Sequence, residues 1–183
     1  QKDPDLENPG FADLHQVGTI GQIVKLLEMP DGSTTAIIQG RKRMILSDLV
    51  SDDPYFIAKV KSIPESKPEK QSKDFDAIVG SLKDLSLKII KINPNISPEA
   101  TFAIKNIENN TYLINFICSN TDIKVQDKQK LLEINNIRDR GFMLLEFLVQ
   151  EIQVLELKNE LQSKVKSDLD QQQREFLLHQ QMK

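Results

Sequence analysis

The chain has 183 residues and a mass of 20.9 kDa, room for one large domain or two small ones around a real core. Hydrophobic residues make up 39% and charged residues 28%, with a net charge of −3, which excludes the basic field of an ordinary nucleic-acid binder. A single cysteine excludes an internal disulfide, and no apolar run approaches the roughly 18 residues of a membrane span.

Residues from about Gln16 to Pro64 read as strands. The chain opens QKDPDLENPGF without a methionine, the look of a segment cut from a longer protein. VGTIGQIVKLLEM is rich in β-branched and aliphatic residues and runs into PDGST, a Pro-Asp-Gly turn signal. TTAIIQG returns from that turn, so the pair reads as a hairpin. The cluster GRKRM, Arg41 to Arg43, reads as solvated surface, and RMIL as a short strand of its own. SDD at 51–53 reads as a turn before Pro54 rather than an acid–base pair. In YFIAKVKSIP, Phe56, Ala58 and Val60 face one way and Ile57, Lys59 and Lys61 the other. The expectation is four antiparallel strands in a sheet or partial barrel whose edges lack partners.

PESKPEKQSK carries two prolines, many charges and no large apolar side chain, and reads as a linker at 65–73. A helical bundle is expected over 74–135. Phe75, Ile78, Val79, Leu82, Leu85 and Ile89 recur at helical spacing. NISPEATFAIKNI opens with Ser97 as N-cap and Pro98 at the first helical position. NTYLINFICSN reads as a short buried helix, with Cys118 a small hydrophobe rather than a nucleophile. VQDKQKLLEIN follows and ends at Asn135 and Asn136.

From Asn136 to Lys183 there is no proline, and Gly141 is the sole breaker, at a cost of about 1 kcal/mol against Ala. A continuous helix of that length spans roughly 70 Å. Its apolar face changes along the way. Taken at about 100° per residue from Val154, the side chains of Leu144, Leu145, Leu148, Val149, Ile152 and Leu155 form a broad arc near 150°. Val154, Leu157, Leu161, Val165, Leu169 and Phe176 instead lie within about 60° of zero. The broad arc suits a bundle core, and the narrow stripe suits a seam against one partner. The stripe repeats about every 3.67 residues, so a left-handed zipper is not indicated.

No phosphate cradle, dinucleotide fingerprint or zinc ligand set is encoded. His15 and His179 read as solvated.

Two stretches together resemble a known family. PGFADLHQVGTIGQIVKLLEMPDGSTTAIIQGRKRM looks like the amino-terminal domain of the Lon family of ATP-dependent proteases, with its VGT, PDG and QG-plus-arginine strands. DKQKLLEIN and QREFLLHQQMK are similar to the family's KQ…LLE and QRE…QMK helices. The resemblance runs over essentially the whole chain in order. It implies an α+β fold: a PUA-like β subdomain at 1–64, the linker, the bundle, and a long helix at 136–183 leading toward an ATPase module. The family's domain begins with an earlier apolar strand, so the sheet here is expected to lack its first strands. ATP, Mg and the Ser-Lys proteolytic dyad belong to segments beyond Lys183.

The implied role is non-catalytic: engagement of unfolded, damaged or degron-bearing proteins and support of a homo-hexamer, in the bacterial cytoplasm, with neither nucleic acid nor membrane as partner. The expected contacts are Leu157, Leu161, Val165, Leu169, Phe176, Leu177 and Met182, the last three equally accounted for by burial against the ATPase module. Around Ile37, Tyr55 and Ile57, packing within the sheet is expected ahead of substrate contact. The alternative is a stand-alone adaptor or scaffold of the same fold; a GxxxxGK[ST] motif downstream would decide between the two.

Overall fold

A computed structural model describes residues 1–64, 66 and 73–181, with the side chains of 176 and 178–181 outside the description. The linker expected at 65–73 therefore lies outside it, apart from Ser66 and Lys73. Cα packing divides the chain into two compact units: 1–67 together with 132–136, and 68–131 together with 137–183.

The first unit is a three-stranded antiparallel sheet in the order β1 (Val17–Glu28), β2 (Thr34–Ser51), β3 (Ile57–Ser62). A short 3₁₀ turn, Phe11–Asp13, precedes it. The Pro-Asp-Gly signal folds as expected. Gly32 takes φ +83°, a left-handed value that a side chain would oppose. Met29 N–H donates to Ser33 O at 2.8 Å to close the loop. Asp31 Oδ1 accepts from the Ser33 hydroxyl at 2.6 Å and from its N–H at 2.9 Å, and these bonds lower the carboxyl's pKa.

Three strands form where four were expected, because TTAIIQG and RMIL are parts of one. The ladder pairs Gly21 with Gly40 and Ile20 with Lys42, so Arg41 is bulged out and β2 continues without ending. Arg41 turns to Gln22, donating from Nη2 to Oε1 at 2.6 Å. Along β2, pairing passes from β1, which ends at Val17↔Ile45, to β3, which runs from Met44↔Ser62 to Ser51↔Ile57. The outer part of the β1–β2 hairpin is thus a two-stranded ribbon.

The second unit is helical: α1 (Lys73–Ile92), α2 (Ala100–Asn106), α3 (Asn110–Asn120), most of α4 (Val125–Glu133) and α5 (Ile137–Gln181). Ser97 does not cap α2 through its side chain. Single turns from Ser97 O, Pro98 O and Glu99 O lead in, and the α-helix starts at Ala100. Asn109 caps α3, its Oδ1 accepting from Tyr112 N–H at 2.9 Å.

The core of this unit joins Phe75, Val79, Leu82 and Ile89 of α1 to Leu113, Ile114 and Ile117 of α3 and to Ile137, Leu144, Leu148 and Ile152 of α5. Helices α1 and α5 lie side by side and point the same way. Asp74 meets Arg138 at 3.5 Å near their starts, and Lys88 meets Glu156 at 2.7 Å further along. Gly141 has a reason to be there: a Cβ would come within 3.0 Å of Ile78 Cγ2 and 3.3 Å of Ile114 Cδ1. The small residue lets the helices approach, which offsets its poor helix propensity. The fold class is α+β.

Candidate functional surfaces

Helix α5 has two halves. Ile137, Arg140, Gly141, Leu144, Leu148 and Ile152 recur every three or four residues and are buried. Arg140, 2% exposed, is held by Asn115, whose Oδ1 accepts from Nη1 at 2.6 Å. Near the end of α1, Asn159 Nδ2 donates to Ile92 O at 3.1 Å, Ile92 being the last residue of that helix. From Glu156 on, every described side chain of α5 is exposed.

That bare half carries the residues expected to form a seam. Leu157, Leu161, Val165 and Leu169 are between 54% and 58% exposed, and Leu177 is exposed to the same degree. The first four share one line with Val154, whereas Leu177 lies off it, about 140° round the helix. The Phe176 side chain and all of Met182 lie outside the described residues. The switch of face near Leu155 is therefore real. Of the proximal arc, Leu144, Leu148 and Ile152 are core, Leu145 and Leu155 are half-buried and Val149 is exposed, contrary to expectation; the described part of the distal stripe is surface.

The sheet offers a second apolar surface. Among the described residues of the first unit, Arg43 alone is buried. Ile23, Val24, Leu26, Ile37 and Ile38 of the ribbon are exposed, as are Tyr55 just before β3 and Ile57 at its start. The expectation of packing roles for Ile37, Tyr55 and Ile57 is thus corrected: no layer among the described residues of this unit covers them. Phe56 is partly engaged, its ring edge-on to Phe11 with centroids 6.3 Å apart.

Sequence reasoning missed Arg43. Read as solvated within GRKRM, it is 8% exposed and reaches the joint between α4 and α5. Its Nη1 donates to Leu132 O at 2.9 Å and Ile134 O at 3.1 Å, and its Nη2 to Asn135 Oδ1 at 2.9 Å. The guanidinium sits on carbonyls at the C-terminal, electronegative end of α4. Ser66 bridges to Asn136 in the same segment. The one available signal was alternation: Lys42 and Met44 lie on one side of β2, and Arg43 on the other.

Two more polar groups sit where the helices pack. The Cys118 thiol is pushed up to about 11, chiefly by burial, which makes it a poor nucleophile at neutral pH. The Glu151 carboxyl has a raised pKa because it is partly buried and because Asp122 lies nearby; its Oε2 is buried without a hydrogen bond. Among the described residues no group of three or more His, Cys, Asp or Glu side chains could hold a metal ion, and no helix is long and apolar enough to cross a membrane.

A small antiparallel sheet, a helical bundle and a long helix with a bare apolar stripe define an α+β module that presents apolar surface. The family model described as the ATP-dependent protease La (LON) substrate-binding domain matches residues 1–150. The chain belongs to the Lon family. It is 50% identical over 177 residues, 97% of its length, to a Lon protease of Flavobacterium johnsoniae, and 40% identical over all 183 to one of Cytophaga hutchinsonii. It spans about a fifth of these curated relatives, 22% of each. In fold it is similar to the N-terminal domain of the Mycobacterium avium complex Lon protease, with a TM-score of 0.63 at 18% identity over 73% of this chain and 70% of that one. A Lon N-terminal domain protein of Xanthomonas campestris gives 0.52 at 12% identity over 75% of this chain and 71% of that one.

Proposed function

We propose that this chain is the non-catalytic, substrate-engaging part of an ATP-dependent serine protease of the bacterial cytoplasm. It captures misfolded or degron-bearing proteins through apolar surface and supports assembly of the hexamer. ATP, Mg and the Ser-Lys dyad act elsewhere in the parent protein. The observation that carries this reading is the pairing of a substrate-binding-domain match with two bare apolar surfaces, the hairpin ribbon and the distal stripe of α5. Contiguous exposed apolar surface of this kind marks an interaction site. Unfolded polypeptide exposes the β-branched and aliphatic side chains that such surface accepts, whereas folded proteins hide them. The relatives' much greater length supports attachment to a protease rather than a stand-alone adaptor.

The test is binding of an unfolded casein to the 183-residue chain, read by fluorescence anisotropy. Weak saturable binding is expected, reduced when Ile23, Val24 and Ile38 are replaced by Ser. Binding of folded and unfolded forms of one protein with equal affinity would sink the substrate reading.

A further inference from the structure

Of the seven glycines in the chain, Gly32 alone follows an aspartate or asparagine. At an Asp–Gly bond the backbone nitrogen after the aspartate has no side chain beside it, so it reaches the carboxyl carbon with least hindrance. Here that bond sits at the exposed tip of the β1–β2 ribbon, where among the described residues no third strand is paired. Hydrogen bonds restrain both reacting groups. Gly32 N–H donates to Met29 O at 2.9 Å, so the nitrogen is engaged. Asp31 Oδ1 accepts from the Ser33 hydroxyl at 2.6 Å and from Ser33 N–H at 2.9 Å, so the carboxylate is held toward Ser33. These two bonds favour the charged carboxylate over the acid, and only the acid readily sheds its hydroxyl as water.

We infer that Asp31–Gly32 is a site of spontaneous backbone isomerisation, and that the Ser33 hydroxyl sets its rate by holding the Asp31 carboxylate. The reaction needs only the turn and water, and is independent of any substrate role. The Gly32 nitrogen bonds to Asp31 Cγ, and its proton leaves with the carboxyl hydroxyl as one water, closing a five-membered succinimide. Water then adds to one of the two ring carbonyls. Opening at the former side-chain carbonyl breaks the new C–N bond and restores aspartate. Opening at the backbone carbonyl leaves the chain running through the β-carboxyl, an isoaspartate of unchanged mass. Nothing is oxidised or reduced, and one water enters for each that leaves. The product carries an extra methylene in the main chain between residues 31 and 32. The turn leaves no room for it: Met29 N–H reaches Ser33 O at 2.8 Å across a three-residue loop with Gly32 in the left-handed region. Isoaspartate at 31 therefore unpairs the ladder from its outer end, where Glu28 meets Thr34 and Leu27 meets Thr35. Attack by the nitrogen requires the turn to open first, and loop tips open locally at small cost. The bond from the Ser33 hydroxyl adds to that cost.

Incubation of the 183-residue chain in heavy-oxygen water at neutral pH tests this. Peptide mapping locates the incorporated oxygen, and resistance to a protease that cuts before aspartate marks isoaspartate. Isoaspartate is expected at residue 31 ahead of every other aspartate, slowly in the folded chain and severalfold faster in urea. Ser33→Ala should speed the folded reaction severalfold. Ser33→Thr, which keeps a hydroxyl, should leave it near the native rate. In urea the three chains should react alike, because the bonds to Asp31 Oδ1 are gone. Asp31→Glu should abolish the signal at that position, because its longer arm would have to close a six-membered ring. Equal folded rates for the native chain and Ser33→Ala overturn the role of the hydroxyl, as does a difference that persists undiminished in urea. Absence of isoaspartate at 31 in the unfolded chain overturns the site itself.

Discussion

The two halves of α5 differ in apolar content, the proximal half being the richer, and have opposite fates. Between Ile137 and Ile152 the side chains meet α1 and α3, and the backbone comes close enough to require Gly141. Beyond Asn159 the described side chains of the same helix are all exposed, although it still places aliphatic side chains at Leu161, Val165 and Leu169, four residues apart. The helix is one object in backbone terms and two in energetic terms. Its proximal half is stabilised by tertiary burial, and its distal half by helix propensity alone. An aliphatic stripe without burial is surface open to contact.

Truncation should separate the halves most sharply. Leu144→Ala or Leu148→Ala removes a fully buried side chain and is expected to destabilise by about 2–5 kcal/mol. Leu161→Ala should change stability by less than about 0.5 kcal/mol, because its side chain is exposed. Chemical denaturation monitored by circular dichroism gives both values. Equal losses would mean that the distal half is buried after all. In the parent enzyme the ranking should invert for function: Leu161→Glu with Val165→Glu should impair assembly or processing of folded substrates while leaving the fold intact.

The next effect tests the buried arginines. Arg140→Met keeps the length of the side chain but leaves Asn115 without the guanidinium. A hydrogen bond to a charged group is worth about 1.5–3 kcal/mol, and a loss in that range is expected. Arg43→Met should cost a similar amount, about 1.5–3 kcal/mol, and should speed amide exchange in 132–136, the segment whose carbonyls it holds. If exchange there were unchanged, Arg43 would not be an anchor.

Arg43 also marks where the sequence stops being legible. Features set by neighbours in the chain were readable: the Pro-Asp-Gly turn, the helical spacing of α1, the shift of apolar face near Leu155. Their causes lie within a few residues of one another. Arg43 depends on carbonyls 89 and 91 residues away, and nothing in GRKRM announces them. The continuity of β2 was hidden for a related reason. A bulge at Arg41 is decided by pairing with β1, so the glycine before it looked like an end. The start of α2 depended on a choice between a Ser side-chain cap and simple turns, which local chemistry leaves nearly balanced. For the candidate surfaces, the stripe was visible as periodicity. The bare ribbon was not, since alternation alone does not say whether a second layer exists.

A smaller effect runs in the stabilising direction. Ser86 is buried on the core side of α1 with its Oγ lacking a partner. Ser86→Ala removes that unsatisfied group and raises helix propensity, so a gain of about 1 kcal/mol is expected from thermal or denaturant unfolding. A loss would show that the hydroxyl is satisfied in solution.

The smallest effect concerns Glu151, on α5 within the packed half. Burial first, and Asp122 second, raise its pKa above the ordinary carboxyl range. The folded protein therefore holds this proton more tightly than the unfolded chain does. Stability from that difference is present below the unfolded pKa and is lost as pH rises through the folded one, the reverse of a salt-bridged carboxylate. Glu151→Gln mimics the protonated form at every pH. The variant and the native chain should match in stability at pH 4, and the variant should be the more stable by neutral pH, modestly so because the group is only partly buried. The slope of stability against pH between those limits should be shallower for the variant by the contribution of one carboxyl. Asp122→Asn should recover part of the same gain, since it removes the second of the two causes. Matching slopes in native and variant chains would mean that water reaches Oε2, and that this stretch of the proximal half is looser than its aliphatic neighbours.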